Sequence, residues 1–266
     1  MRITKYIFMF IAIGFFGCEK DPIIDPSPTP EHLESVLLQN DKVLIDTIYA
    51  HAGNHPNFER ETDQYDVHLR FQSHDNMTNV KIYRNDSIAY PDSLALFQKF
   101  DLKTEPEFQG LFTNILLKQQ QQNEDFLIRV LYTANDTAFL TRTVRVRTAQ
   151  ESTDTKNVRD ISVETTPGGR AFFDWAGSSV ASDDNLIEMA DATGKTFCAV
   201  VTSDPAFLFH NLRNVTHDFT PEIFAPRLVQ GESYDVNIYM TDNIGWMRNY
   251  RNFSFVADST KSEFFE

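Results

Sequence analysis

Leu228-Val-Gln-Gly231-Glu-Ser-Tyr234-Asp-Val236-Asn-Ile238-Tyr-Met240-Thr241, late in a chain of 266 residues, alternates apolar and polar side chains from Tyr234 onward. It then turns through Asp242-Asn-Ile-Gly245 and returns through Asn252-Phe-Ser-Phe255. A period of two puts one set of side chains on one face of an extended strand, and Asp, Asn and Gly supply the turn. The stretch therefore reads as a β-hairpin with one buried face. An earlier stretch does the same. Asn123-Glu-Asp-Phe126-Leu-Ile128-Arg-Val130-Leu-Tyr132-Thr133 turns at Asn135-Asp136 and closes with Val144-Arg-Val146-Arg147. The copies lie about a hundred residues apart, the length of one two-sheet sandwich.

Working outward, earlier strands repeat too. Tyr65, Val67, Leu69 and Phe71 alternate with Asp66, His68 and Arg70, and Ala171, Phe173 and Trp175 alternate with Phe172 and Asp174. Val80 to Arg84 precede Asn85-Asp86, and Leu186 to Ala190 precede Asp191-Ala-Thr-Gly194, which places a turn after the third strand of each copy. The pattern predicts an all-β chain with a sandwich over 31–148, a polar linker over 149–157, a second sandwich over 158–257 and a C-terminal tail over 258–266.

The second copy resembles a fibronectin type III module. Leu228, Gly231 and Tyr234 fit the spacing of that family's tyrosine corner, in which the hydroxyl is hydrogen-bonded to nearby backbone. Trp175 fits its core tryptophan, and Pro167-Gly-Gly169 its first turn. The resemblance implies a sandwich of immunoglobulin-like class. The first copy departs from it: Phe126 stands for the tyrosine, no strand tryptophan is present, and Gln119 to Gln122 occupy the corner. It reads as a divergent immunoglobulin-like sandwich.

The amino terminus, MRITKYIFMFIAIGFFGCEKD, sets a short basic start (Arg2, Lys5) before an apolar run from Tyr6 to Phe16, then Gly17 and Cys18. That is the layout of a secretory signal, too short to cross about 30 Å of hydrocarbon. The sequence resembles the lipobox of bacterial lipoproteins, with Phe15 where the common pattern has Leu, a looseness seen in Bacteroidota. The resemblance implies removal of residues 1–17, lipidation of Cys18 and a palmitate-type anchor in the outer membrane. Residues 18–30 form a tether in which Pro22, Pro26, Pro28 and Pro30 favour an extended polyproline conformation. Lys20-Asp21 is similar to the charged signals that send Bacteroidota lipoproteins to the cell surface.

Net charge is −14, and −16 once Arg2 and Lys5 leave with the signal. That balance speaks against nucleic-acid phosphates or anionic lipid as partners. The two cysteines are Cys18 and Cys198; with Cys18 lipidated no internal disulfide is available, and the core, with 23 phenylalanines, must supply the stability.

No motif carries catalysis, a cofactor or a metal. His51-Ala-Gly-Asn-His55 has metal-ligand spacing, but Gly53, Asn54 and Pro56 break the helix that the spacing needs. His68, opposite the apolar set of its strand, reads as a solvated surface histidine. Ser182-Asp-Asp-Asn185 reads as an Asx-type turn rather than a calcium loop, and Cys198 as a small buried apolar residue.

Two surface features stand out. Asp46-Thr-Ile48, Asp86-Ser-Ile88, Asp92-Ser-Leu94, Asp136-Thr-Ala138 and Asp258-Ser-Thr260 resemble the Asp-Ser/Thr-aliphatic signal for O-glycosylation in Bacteroidota, against about one expected from composition. They make Ser87, Ser93, Thr137 and Ser259 candidate acceptors, with simple clustering of Asp and Ser/Thr in turns as the alternative. In Asp242-Asn-Ile-Gly-Trp246-Met-Arg-Asn-Tyr250, Trp246 follows the turn glycine rather than sitting in the alternating set. Trp246, Met247, Arg248 and Tyr250 then form a candidate interface exposed at the tip of the second sandwich; the alternative is that Trp246 folds back to cap its own domain.

These features together predict a lipid-anchored, non-enzymatic envelope protein that serves as a binding or structural subunit of an outer-membrane assembly. The alternative is a glycan-binding accessory lipoprotein, similar in layout to those of SusC/SusD-type uptake systems.

Overall fold

A computed structural model of the chain describes residues 31–53, 65–101, 106–109, 111–148, 161–175, 184–220, 227–260 and 262–265. The signal, Cys18, the tether, the linker 149–157, His55 and Ser182-Asp183 lie outside the described residues. Residues 31–266 form a single compact unit.

After a short helix α1 (Leu33–Leu37), the first half contributes β1 (Val43–Asp46), β2 (Ile48–Ala52), β3 (Tyr65–Gln72), β4 (Thr78–Asn85), β5 (Gln98–Phe100), β6 (Glu107–Gln109), β7 (Phe112–Gln120), β8 (Asp125–Ala134), β9 (Thr137–Thr141) and β10 (Val144–Arg147). The second half contributes β11 (Ile161–Thr165), β12 (Ala171–Asp174), β13 (Asp184–Asp191), β14 (Thr196–Thr202), β15 (Ala206–Leu208), β16 (Val215–Asp218), β17 (Ser233–Thr241), β18 (Met247–Val256) and β19 (Ser262–Phe265).

These strands make two tandem β-sandwiches of the immunoglobulin-like kind. In the first, a six-stranded sheet of order β1-β9-β8-β4-β5, with β10 also on β8, faces a sheet of order β2-β3-β7-β6. In the second, β16-β14-β13-β17-β18 faces β15-β12-β11-β19. Strand β19 pairs antiparallel with β11, Ile161 opposite Phe265, so residues 262–265 complete a sheet where a tail was expected.

The alternation legible in the sequence sets the cores. Val67, Leu69 and Phe71 of β3 and Phe126, Ile128 and Val130 of β8 fill the first; Phe173, Trp175, Val236, Ile238 and Phe255 fill the second. The earlier hairpin turns where expected, with both Asn135 (φ 47°) and Asp136 (φ 60°) in the left-handed region that a tight two-residue turn demands. Its return is split in two: β9 pairs with the end of β8 and β10 with its start. At the break the Thr141 hydroxyl oxygen accepts the Val130 N–H at 2.9 Å and so takes over a ladder bond.

The corner of each sandwich is tied differently. In the second, the backbone N–H of Val229 donates to the Tyr234 hydroxyl at 2.8 Å, the bond the resemblance implied. In the first, where Phe126 has no hydroxyl, Thr148 does this work from the end of β10. Its oxygen accepts the Glu124 N–H at 2.9 Å and its hydroxyl donates to the Gln121 carbonyl at 2.5 Å.

Candidate functional site

An ordinary two-sheet sandwich buries one face of each sheet. Here β2 is buried along its whole length, and both faces of β13, β14 and β17 carry buried residues. The reason is a third apolar layer. Tyr49 and Phe112, on the outer face of the β2-β3-β7-β6 sheet, pack with Leu186, Ala199, Val201, Phe219, Tyr239 and Met247 of the second sandwich. The two sandwiches therefore meet face to face, and the sheets stack in four layers. A further cluster of Leu33, Tyr83, Phe97, Leu127, Leu131 and Leu140 places α1 over the remaining face of the six-stranded sheet.

Polar groups inside this interface are paired. Arg70 of β3 donates to Glu188 of β13 at 2.5 Å and to the Tyr239 hydroxyl at 3.0 Å, and its guanidinium lies 4.2 Å from the centre of the Tyr239 ring. Burial by itself works against a charged guanidinium, but the Glu188 carboxylate and Tyr239 outweigh it and hold Arg70 charged above its ordinary range. Tyr239 has its hydroxyl pKa raised, chiefly by burial. The Tyr49 hydroxyl donates to the Thr241 hydroxyl oxygen at 3.4 Å. His51, 1 % exposed, stacks on His68 with ring centroids 4.9 Å apart and planes 7° apart. His68 is thus half-buried beneath the second sandwich rather than a solvated surface residue, because the face it occupies is covered.

The tip of the late hairpin is where the expectation of exposure fails. Trp246 is 9 % exposed, and it is neither a surface anchor nor a cap on its own sandwich; its ring belongs to the core of the first one. The buried Asp242 carboxylate shapes this tip by accepting the Ile244 N–H at 3.1 Å and the Trp246 N–H at 2.9 Å. The shaped tip then docks by its backbone. Ala52 N–H donates to the Gly245 carbonyl at 2.7 Å and Arg147 N–H to the Ile244 carbonyl at 3.1 Å, so residues 244–246 bridge β2 and β10 at the margin of the first sandwich. Gly245 sits at φ +73°, and a Cβ there would stand 3.1 Å from the Arg145 carbonyl oxygen and 3.2 Å from that of Ala50. Of the other tip residues, Met247 is buried in the shared cluster. Tyr250 is half-buried and donates to Asn237 Oδ1 at 2.8 Å. Arg248 lies on β18, its side chain outside what the structure describes.

The candidate acceptors all stand in turns or at strand starts. Ser87 follows β4 with its N–H on Asn85 Oδ1 at 2.8 Å; Ser93 precedes a short 3-10 turn; Thr137 opens β9 beside the Asn135-Asp136 turn; Ser259 lies in a turn after β18 held by Asp258. Each is partly exposed. Thr47 falls at the break between β1 and β2, where the Tyr132 hydroxyl bonds the Asp46 carboxylate.

Among the described residues no group of three His, Cys, Asp or Glu side chains is placed to hold a metal ion. Cys198 is 3 % exposed with its thiol pushed up to about 12 by burial, which keeps it protonated and unreactive. Asn185, at the start of β13, donates to the Thr202 and Asp204 carbonyls at 3.1 and 3.3 Å.

No family model matches the chain, and no curated protein does. Among solved structures it is similar to the FN1–FN3 domains of chicken CNTN1, at 9 % identity and a TM-score of 0.28 over 82 % of this chain and 69 % of that one. It is also similar to a chimeric titin Z1Z2–Z1Z2 tandem bearing a GRGDS peptide from fibronectin, at 10 % identity and a TM-score of 0.20 over 72 % and 89 %. The sandwich architecture stands on the chain's own sheets and register.

Proposed function

We propose that this chain is a lipid-anchored protein of the bacterial outer membrane, exposed at the cell surface, that works without catalysis as a binding or structural subunit of an envelope assembly. The observation that carries the reading is the face-to-face docking of the two sandwiches. It commits Arg70, Glu188, Tyr49 and Tyr239 to holding the molecule together, so that residues 31–266 offer a partner one compact unit. Among the described residues no helix is long and apolar enough to cross a membrane, and the anchor is assigned to Cys18. Both tryptophans are buried, so neither offers the flat exposed ring that sugar stacking needs.

The test is a Cys18→Ser variant combined with a mild-detergent pull-down of the unaltered protein. The variant leaves the membrane fraction, and the unaltered protein brings down an outer-membrane protein. Continued membrane association of the variant contradicts the anchor. Retention on a polysaccharide gel without a protein partner contradicts the subunit reading in favour of the glycan one.

A further inference from the structure

The stacked imidazoles lie in the wall between the two sandwiches. His51 of β2 and His68 of β3 are cross-strand partners in register, and the His51 ring also stands 5.7 Å from the Tyr239 ring of β17 and 5.7 Å from that of Tyr49. Among the described residues, charged and titratable groups stand on each element that packs here. On β3, Asp66 and Arg70 sit two residues either side of His68 on the same face. Leu116 of β7 lies opposite His68, with Lys118 further along that strand. From the second sandwich come Glu188 of β13, engaged by Arg70 at 2.5 Å, Asp184 at the start of that strand, Tyr239, Tyr250 of β18 and Asp242 of the tip, whose Oδ1 is taken up by two backbone N–H groups.

Of two parallel rings 4.9 Å apart, one can carry a proton while the other stays neutral. A second proton sets two cations face to face at a junction where His51 is 1 % exposed, and like charges there repel strongly. We infer that the His51–His68 stack makes the docking of the two sandwiches pH-sensitive: the interface is closed while the pair carries at most one proton and is released when acid adds the second.

The sign follows from proton linkage. The released state binds more protons than the closed one, so closure is fully present above the range in which a free imidazole titrates, about 6.5, and is lost as pH falls below it. Release withdraws the tip from the first sandwich and exposes Trp246, whereas Trp175 stays inside the second core.

Acrylamide quenching of tryptophan fluorescence, in the full chain from pH 7.5 to 5, reads this directly because the quencher is uncharged. The quenching constant is expected to rise several-fold on acidification and to recover on return to pH 7.5, and His68→Gln, which leaves one ring and hence one proton, is expected to hold the pH 7.5 value throughout. A flat profile for the unaltered protein overturns the inference, and so does a His68→Gln profile that matches it. Should His68→Gln not fold, ring-proton NMR titration of the unaltered chain decides: uptake of the second proton must coincide with movement of the Trp246 indole signal, and titration without that movement refutes the switch.

Discussion

The ring of Trp246, from the last hairpin of the second sandwich, packs edge-on against the ring of Tyr65, at the start of a strand in the first, with centroids 5.3 Å apart and planes at 62°. A residue encoded late in the chain thus completes a core assembled from its first half. Around this contact the two sandwiches share an apolar layer, a buried ion pair and two backbone hydrogen bonds, which is why they behave as one body.

Gly245 is the tightest point of that junction. Alanine there must keep φ at +73° and press its Cβ against two carbonyl oxygens at 3.1 and 3.2 Å. Gly194, at φ +80° with open space around it, suffers only the backbone penalty. Gly194→Ala is expected to lose about 1 kcal/mol and Gly245→Ala at least twice that, measured by urea unfolding. Equal losses would mean that the tip is not clamped.

Arg70 and Glu188 have side chains 12 % and 13 % exposed, so either one left alone is a buried uncompensated charge. Arg70→Met or Glu188→Gln is expected to destabilise by about 3–5 kcal/mol, and Arg70→Met with Glu188→Leu to recover much of that loss. The double variant distinguishes a pair from two independent contacts. Losses that simply add would show that the residues do not act together.

The two corners predict opposite chemistry at equivalent places. Tyr234→Phe removes the acceptor for Val229 N–H and is expected to lose about 1–2 kcal/mol. In the first sandwich the equivalent dependence falls on Thr148→Val, which strands the Glu124 N–H and the Gln121 carbonyl, while Phe126→Tyr brings no gain because that bond is already supplied. Thermal unfolding of the three variants checks the assignment.

How much of this was legible depends on what each residue reports. Tyr234, Val236 and Ile238 alternate because one face of β17 meets its own core, and Leu228, Gly231 and Tyr234 mark the corner; both signals are local, and both hold. His68 and Arg70 read as the polar side of their strand, and Tyr49, His51 and Tyr239 carry no burial signal of their own, because what covers all five comes from the other half of the chain. A clue was present in the continuous apolar run Phe197-Cys-Ala-Val-Val201, which does not alternate as a strand with one wet face does. Trp246 could not be placed from its position after a turn glycine, since the surface it enters is built from β2, β3 and β10. The triplets at 86 and 136 lie just after β4 and at the turn between β8 and β9, and Asp46-Thr-Ile48 spans a break between two strands.

The account turns on whether the second sandwich holds the first together, and hydrogen exchange of Trp246→Ala in the full chain tests that most directly. Truncating a large buried aromatic destabilises its surroundings by about 3–5 kcal/mol. Because Trp246 sits in the first core, the amides of β2 and β3 are predicted to lose protection while those of β11 and β12, on the far side of the second sandwich, keep theirs. Loss confined to the second sandwich, with β2 and β3 unchanged, would contradict the shared core.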